Sequence, residues 1–391
     1  MSNRIKEVLI SLGIVFTMFL VVGLILPSSR HMSAEMETNR KRTIVFDALN
    51  GFARWKDWNP IAQRSPTVQT KFSGPSTGKG ARLDYMSLNN RDGVGSWTIT
   101  DSVPLKSVSV DVDNSDKGYN KRMKFTLSSA GRMKRNTKVV QSYDVDYGFN
   151  LIGRYAGLYV SATVGEDLKS GMRKFNDMLA LIPNFDYTDL ETGDPATAPK
   201  FSQLGEKNII SVSVEVARAE EPLKNAIKDA QSTLVATMNA NGLVADGPLQ
   251  IVTTNFGQAT YAFDVAQPVK KAGASGKIDI RTDNRVKAEY IPAGPAVQVA
   301  AVGTYNDLPK FRNALSQWAA AKGATPVGRA FESWFSGVEG SFLPTGNYTV
   351  YQRVKALPAG VSLDGAAKTE AAEGAAAPAA AEPAAEPAAT P

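Results

Sequence analysis

Five aspartates, Asp84, Asp101, Asp111, Asp144 and Asp146, sit in strand-like segments in the first half of the chain. A carboxylate of this kind does acid or base chemistry when a second group converges on it in a closed site. On an alternating strand the polar positions face water, so these five read as ordinary surface charges. What the chain lacks is more decisive. Its 391 residues include no Cys and one His, His31. That excludes thiol nucleophiles, disulfides, iron–sulfur clusters, Cys-ligated zinc and Ser-His-Asp catalysis. We expect no catalytic residue, no metal site and no cofactor. Gly78-Lys79-Gly80 lacks the four-residue interval of a phosphate loop and reads as a hairpin turn. The basic residues Lys121, Arg122, Lys124, Arg132, Lys134, Arg135 and Lys138 come with no aromatic recognition motif or helix-turn-helix. They read as a solvated strand face, with anionic lipid headgroups second, and no nucleic acid partner is expected.

These candidates need elements to hold them, and the length allows two or three domains. Residues 8–26 form an uncharged apolar run ended by Pro27. As a helix it spans the hydrocarbon core of a bilayer, about 30 Å. The run is long for a signal peptide, and Met32 occupies the place where Ala34 as a cleavage residue would want a small neighbour, so we expect an uncleaved anchor in contact with the lipid bilayer. Basic residues stand on both sides, Arg4 and Lys6 before it and Arg30, Arg40, Lys41 and Arg42 after it. The short N-terminal tail favours an inside N-terminus. We therefore expect a single-pass protein of the inner (cytoplasmic) membrane with its bulk in the periplasm. Residues 357–391, rich in Ala, Pro and Glu, read as a disordered tail, and 184–207 as a linker. Two folded regions remain, 30–183 and 208–356.

In the first region a short strand (HMSAEMET) precedes a helical segment (TIVFDALN) and the aromatic stretch FARWKDWNP. Six β segments follow, clearest in SVSVDVD, where Val108, Val110 and Val112 share one face. Apolar residues then recur at three- and four-residue steps from Ile152 to Ile182, predicting one long amphipathic helix. The sequence predicts an antiparallel sheet wrapping a helix, with a cavity between them. The order of elements, RTIVFDALNGFARWKDWNP and the late GFNLIGRYAGLY resemble the SRPBCC (START-like, polyketide cyclase/dehydrase) superfamily over about 150 residues. The resemblance implies a helix-grip fold enclosing an elongated apolar pocket for lipids, polyketides or hormones, with cyclisation or dehydration in a few members. Trp97 is the candidate pocket residue, and Trp55 and Trp58 read as packing anchors.

The second region reads strand, helix, strand, strand (NIISVSVEVAR, EPLKNAIKDAQSTLVATMNANGL, LQIVTTN, QATYAFDVA), and the order recurs from AVQVAAVGTY onward. Duplicated βαββ units, about 90 residues apart, predict a second α+β domain with a groove between its halves. IPAGPAVQVAAVGTYNDLPKFRNALSQWAAAKGA and GRAFESW resemble the GyrI-like effector-binding fold. That resemblance implies a glutamate beside aromatic residues, here Glu332 with Phe331 and Trp334, that receives cationic apolar ligands. The chemistry is reasonable, because a carboxylate attracts the cation while the rings supply cation–π and apolar contact. Tyr261, Phe263, Tyr290 and Tyr305 are candidate walls. The expected function is a non-catalytic, membrane-anchored binding protein for a hydrophobic or lipophilic cationic small molecule or a lipid. The alternatives are a cyclase, dehydratase or hydrolase in the first cavity, and an envelope scaffold that binds protein.

Overall fold

A computed structural model describes residues 3–89, 92–192, 197–361 and 363. Most of the Ala/Pro/Glu-rich tail expected at 357–391 lies outside them. The chain is α+β, with two antiparallel sheets and one apolar N-terminal helix, α1 (Asn3–Ile25). Residues Ile5–Ile25 have a mean hydropathy of 2.8 and are almost wholly unburied. By length and composition α1 can cross a bilayer, a criterion that a signal sequence also meets.

The first sheet is built from β1 (Ser29–Thr38), β2 (Gln69–Ser73), β3 (Arg82–Met86), β4 (Val94–Val103), β5 (Ser107–Asn114), β6 (Tyr119–Ala130) and β7 (Asn136–Asp146). Its order is β1-β7-β6-β5-β4-β3-β2, with every neighbour antiparallel. Alternation decides its faces: Val108, Val110 and Val112 point inward while Asp111 and Asp113 face water. Three short helices, α2 (Arg42–Leu49), α3 (Trp55–Trp58) and α4 (Pro60–Arg64), cross between β1 and β2. Asn59 starts α4 by accepting a hydrogen bond from the Ile61 amide, with Pro60 at the first helical position.

The single helix expected over 152–182 is two, α5 (Leu151–Ala156) and α6 (Val160–Ala180). Apolar spacing runs through the break, which is why periodicity missed it. Close packing against Tyr147 accompanies the break: a Cβ at Gly153 or Gly157 would lie 2.9 Å from that ring. α6 buries Leu168, Met172, Phe175 and Leu179. Trp58 fills the space between helix and sheet, with its ring centroid 5.4 Å from Phe175 and 6.0 Å from Phe125.

The segment read as a linker is ordered at both ends. Tyr187 is buried, α7 (Thr188–Thr192) follows, and β8 (Lys200–Leu204) pairs with the second sheet. Its anchors are isolated (Tyr187, Phe201, Leu204), so no periodicity announced them. The second sheet adds β9 (Lys207–Ala217), β10 (Val244–Ala245), β11 (Leu249–Phe256), β12 (Thr260–Lys270), β13 (Val286–Ile291), β14 (Gly294–Gly303), β15 (Phe331–Trp334) and β16 (Gly346–Arg353). Its helices are α8 (Glu220–Asn241), α9 (Leu308–Ala321) and the short α10 (Gly337–Gly340). The strand order β13-β9-β12-β11-β15-β16-β14-β8 displays the duplication. Units β9-α8-β11-β12 and β14-α9-β15-β16 meet where β11 pairs with β15.

Candidate functional site

The first sheet and α6 do not close on each other along their whole length. Between them lies a cavity of about 420 Å³. Its wall includes Trp58, Trp97, Val112, Met123, Tyr143 and Leu168, contributed by α3, β4, β5, β6, β7 and α6. Trp97, the candidate named from the sequence, lies on the inward face of β4 and is among these lining residues. Tyr85 and Gln141 also line it. Burial pushes the Tyr85 phenol up to about 12 and the Tyr143 phenol higher still, so both stay neutral hydroxyls at physiological pH. Trp97 Nε1 and Gln141 Oε1 are buried without a hydrogen-bond partner, although Gln141 Nε2 approaches Met123 Sδ at 2.8 Å.

The charged residues of the lining are Arg64, Asp92, Asp116, Lys117 and Asp167. Arg64 donates to Asp92 (2.5 Å) and to Asp167 (2.7 Å), so the two carboxylates beside α4 are already engaged. Asp116 and Lys117, in the β5–β6 turn, and Tyr159 and Thr163, around the start of α6, are among the lining residues. The strand acids named from sequence stay outside: Asp101, Asp111 and Asp144 are exposed, and Asp144 Oδ1 meets His31 Nδ1 at 2.6 Å on the surface. Gln141 had a sequence signal that went unread, a polar residue at an inward position between Val139 and Tyr143.

The second-domain candidates are divided by the strand they share. Glu332 and Trp334 point to one side of β15, where both are buried. Phe331 points to the other and stacks on Tyr351, with centroids 5.0 Å apart. Trp334 joins Tyr305 in a ring cluster around Phe342. Tyr261 shares a 2.8 Å hydrogen bond with Thr253 and packs on Phe263, while the Tyr290 hydroxyl donates to Glu206. Glu332 Oε1 accepts from Arg312 Nη1 of α9 at 2.6 Å, and Oε2 has no partner. Its burial raises the carboxyl to about 7, against the lowering effect of Arg312. Arg312 escaped the sequence reading because the helix and strand that bring it to Glu332 are joined by a loop with no regular pattern.

A second buried charge cluster joins the two domains. Lys322, just past α9, meets Asp47 of α2 at 2.7 Å and Glu191 of α7 at 3.0 Å. Tyr187 donates to Asp47 and Trp318 Nε1 to Glu191, each at 2.7 Å. Burial raises Asp47 to about 6, with Lys322 opposing it. Arg54 Nη1 closes the contact on the Ala320 carbonyl at 2.6 Å.

No family model and no curated protein matches the chain. Among solved structures, the chain is similar to the EcmrR C-terminal domain, at 18% identity over 41% of this chain and 98% of that one, with a TM-score of 0.33. It is also similar to a hydrolase from Listeria innocua, at 14% identity over 41% and 94%, with a TM-score of 0.30. Truncated norcoclaurine synthase from Thalictrum flavum follows at 11% identity over 39% and 94%, with a TM-score of 0.31. Scores this low carry no argument about activity.

Proposed function

We propose that this chain is a membrane-tethered binding protein whose first module, residues 30–183, holds one small, mostly apolar molecule. The cavity between sheet and α6 carries the reading. Its volume of about 420 Å³ falls within the range of about 300–1,000 Å³ typical of small-molecule sites. Aromatic and aliphatic side chains form the wall, and unpartnered polar atoms at Trp97 and Gln141 offer an anchor for one polar group. Binding is favoured over catalysis because Asp92 and Asp167 are both held by Arg64. In this reading the first module is a START-like helix grip, and residues 208–356 form a GyrI-like module. α1 stays in the inner membrane with the bulk of the chain periplasmic.

The test is binding of an apolar fluorescent probe to the full chain in detergent. Val164 lines the cavity from a half-buried position on α6. Val164→Trp is expected to weaken the probe about tenfold, ~1.4 kcal/mol, at little change in melting temperature. Unchanged affinity in this variant overturns the reading.

Cation binding at Glu332 is the second reading, and the unpartnered Oε2 favours it. Arg312 already neutralises this carboxylate, so a ligand cation has to compete with a 2.6 Å ion pair. Glu332→Gln weakens lipophilic cations in this reading and leaves neutral apolar probes unaffected. Equal affinities for both classes in wild type and variant sink it.

A further inference from the structure

One end of the first sheet collects the apolar side chains that folding left in solvent. The register places Ser29, Asp146 and Tyr119 in one row across β1, β7 and β6, and the β3–β4 loop lies at the same end. Exposed there are Leu88, Tyr119, Phe149, Ile152, Leu158 and Tyr159. Elsewhere in the first domain, exposed large apolar residues are isolated, at Val103, Met133 and Leu181. Apolar side chains left exposed together at one end of a domain point to a contact, and the neighbouring helix points to its partner.

α5 lies against the C-terminal part of α1. Tyr155 stacks on Phe19 with centroids 4.7 Å apart, and its hydroxyl donates to the Phe19 carbonyl at 2.8 Å. Gly23 lets the helices approach, since a Cβ there would meet Leu151 at 3.2 Å. Arg154 Nη1 donates to the carbonyls of Gly23, Leu24 and Leu26 at 3.3, 2.9 and 3.1 Å, closing the end of α1. Phe19 sits about 9 Å along the axis before the end of the apolar helix. A helix fixed at that level occupies the depth of an interfacial amphipathic segment, about 5–10 Å into the headgroup and acyl boundary.

We infer that this end of the first domain is seated in the bilayer that α1 crosses, with α5 in the interface and the cavity opening onto lipid. The inference rests on the reading of α1 as a span and of the cavity as a binding site. Tyr159 and Thr163 are exposed and also line the cavity, so the opening lies on the seated face. The occupant is then a single-chain amphiphile drawn sideways from the membrane. A cavity of about 420 Å³ is too small for a two-chain lipid.

The chain has no Cys, so single spin labels report without background. Full-length Ile152→Cys, Tyr159→Cys and Leu181→Cys are labelled and reconstituted in phosphatidylcholine vesicles, and flotation checks insertion. Labels at 152 and 159 should collide more with oxygen than with a water-soluble nickel chelate, and the label at 181 should show the reverse. All three labels behaving as water-exposed in floating vesicles overturns the seating. Entry is read by tryptophan quenching, since Trp58 and Trp97 line the cavity. Dibromostearic acid in the vesicles should quench more than an equal bromine content carried on dibrominated phosphatidylcholine. Equal quenching overturns entry of a single chain. Lipid-exposed labels with no apolar probe bound in detergent leave the seating standing and remove the binding reading. Probe binding with water-exposed labels does the opposite, and failure to float removes the span.

Discussion

Both domains pair an antiparallel sheet with helices, yet different groups stand between the two layers. In the second domain α8 packs on β9 and β12 and α9 on β14 and β16, with the Arg312–Glu332 ion pair and a cluster of the Tyr305, Trp334, Phe342 and Tyr348 rings inside. In the first domain α6 touches β1 along one margin, while α3 wedges Trp58 between helix and sheet. The wedge holds the helix away from the central strands and leaves the cavity. A pocket here depends less on the strands than on what stands between them and the helix.

The largest expected effect breaks the second domain. Arg312→Ala leaves the Glu332 carboxylate buried without its partner, which costs about 3–5 kcal/mol, read by urea unfolding at pH 8. The same site sets a pH dependence. The folded carboxyl sits at about 7 against a usual value of 4.5, so the native state holds a proton that the unfolded chain has released. Stability is fully present below about pH 4.5 and is lost as pH rises through about 7. Glu332→Gln should flatten that slope, and an unchanged slope would refute the assignment.

Next in size is the joint between the two domains. Lys322→Ala removes the cation shared by Asp47 and Glu191, which should cost about 2–3 kcal/mol and let the domains melt as two calorimetric transitions. A single unshifted transition contradicts the joint. The smallest effect concerns the lone histidine. His31 and Asp144 are more than half exposed, so His31→Ala should move stability by less than about 0.5 kcal/mol in the same urea assay.

The frame of both domains was legible because it is written in local period. Val108, Val110 and Val112 announce a strand, and the repeated strand–helix–strand–strand order announces the second sheet. Trp97 was a candidate because it lies in an alternating strand next to the expected cavity. The division at Gly157 was not legible, since the apolar spacing continues across it. The ion pair of Glu332 depends on Arg312, and the joint depends on Asp47 meeting Lys322. These contacts join distant segments through single side chains, and a single polar residue leaves no periodic trace.

β1 begins beside α1 and ends beside α2, which meets α9 of the second domain. Its ten residues extend about 33 Å at the rise of a strand. The strand thus acts as a boom, fixed to α1 at one end and carrying the second domain at the other. Lys322, clamped between Asp47 and Glu191, keeps that load from swinging. Whatever the distal domain meets, it meets at a set distance from the end of α1.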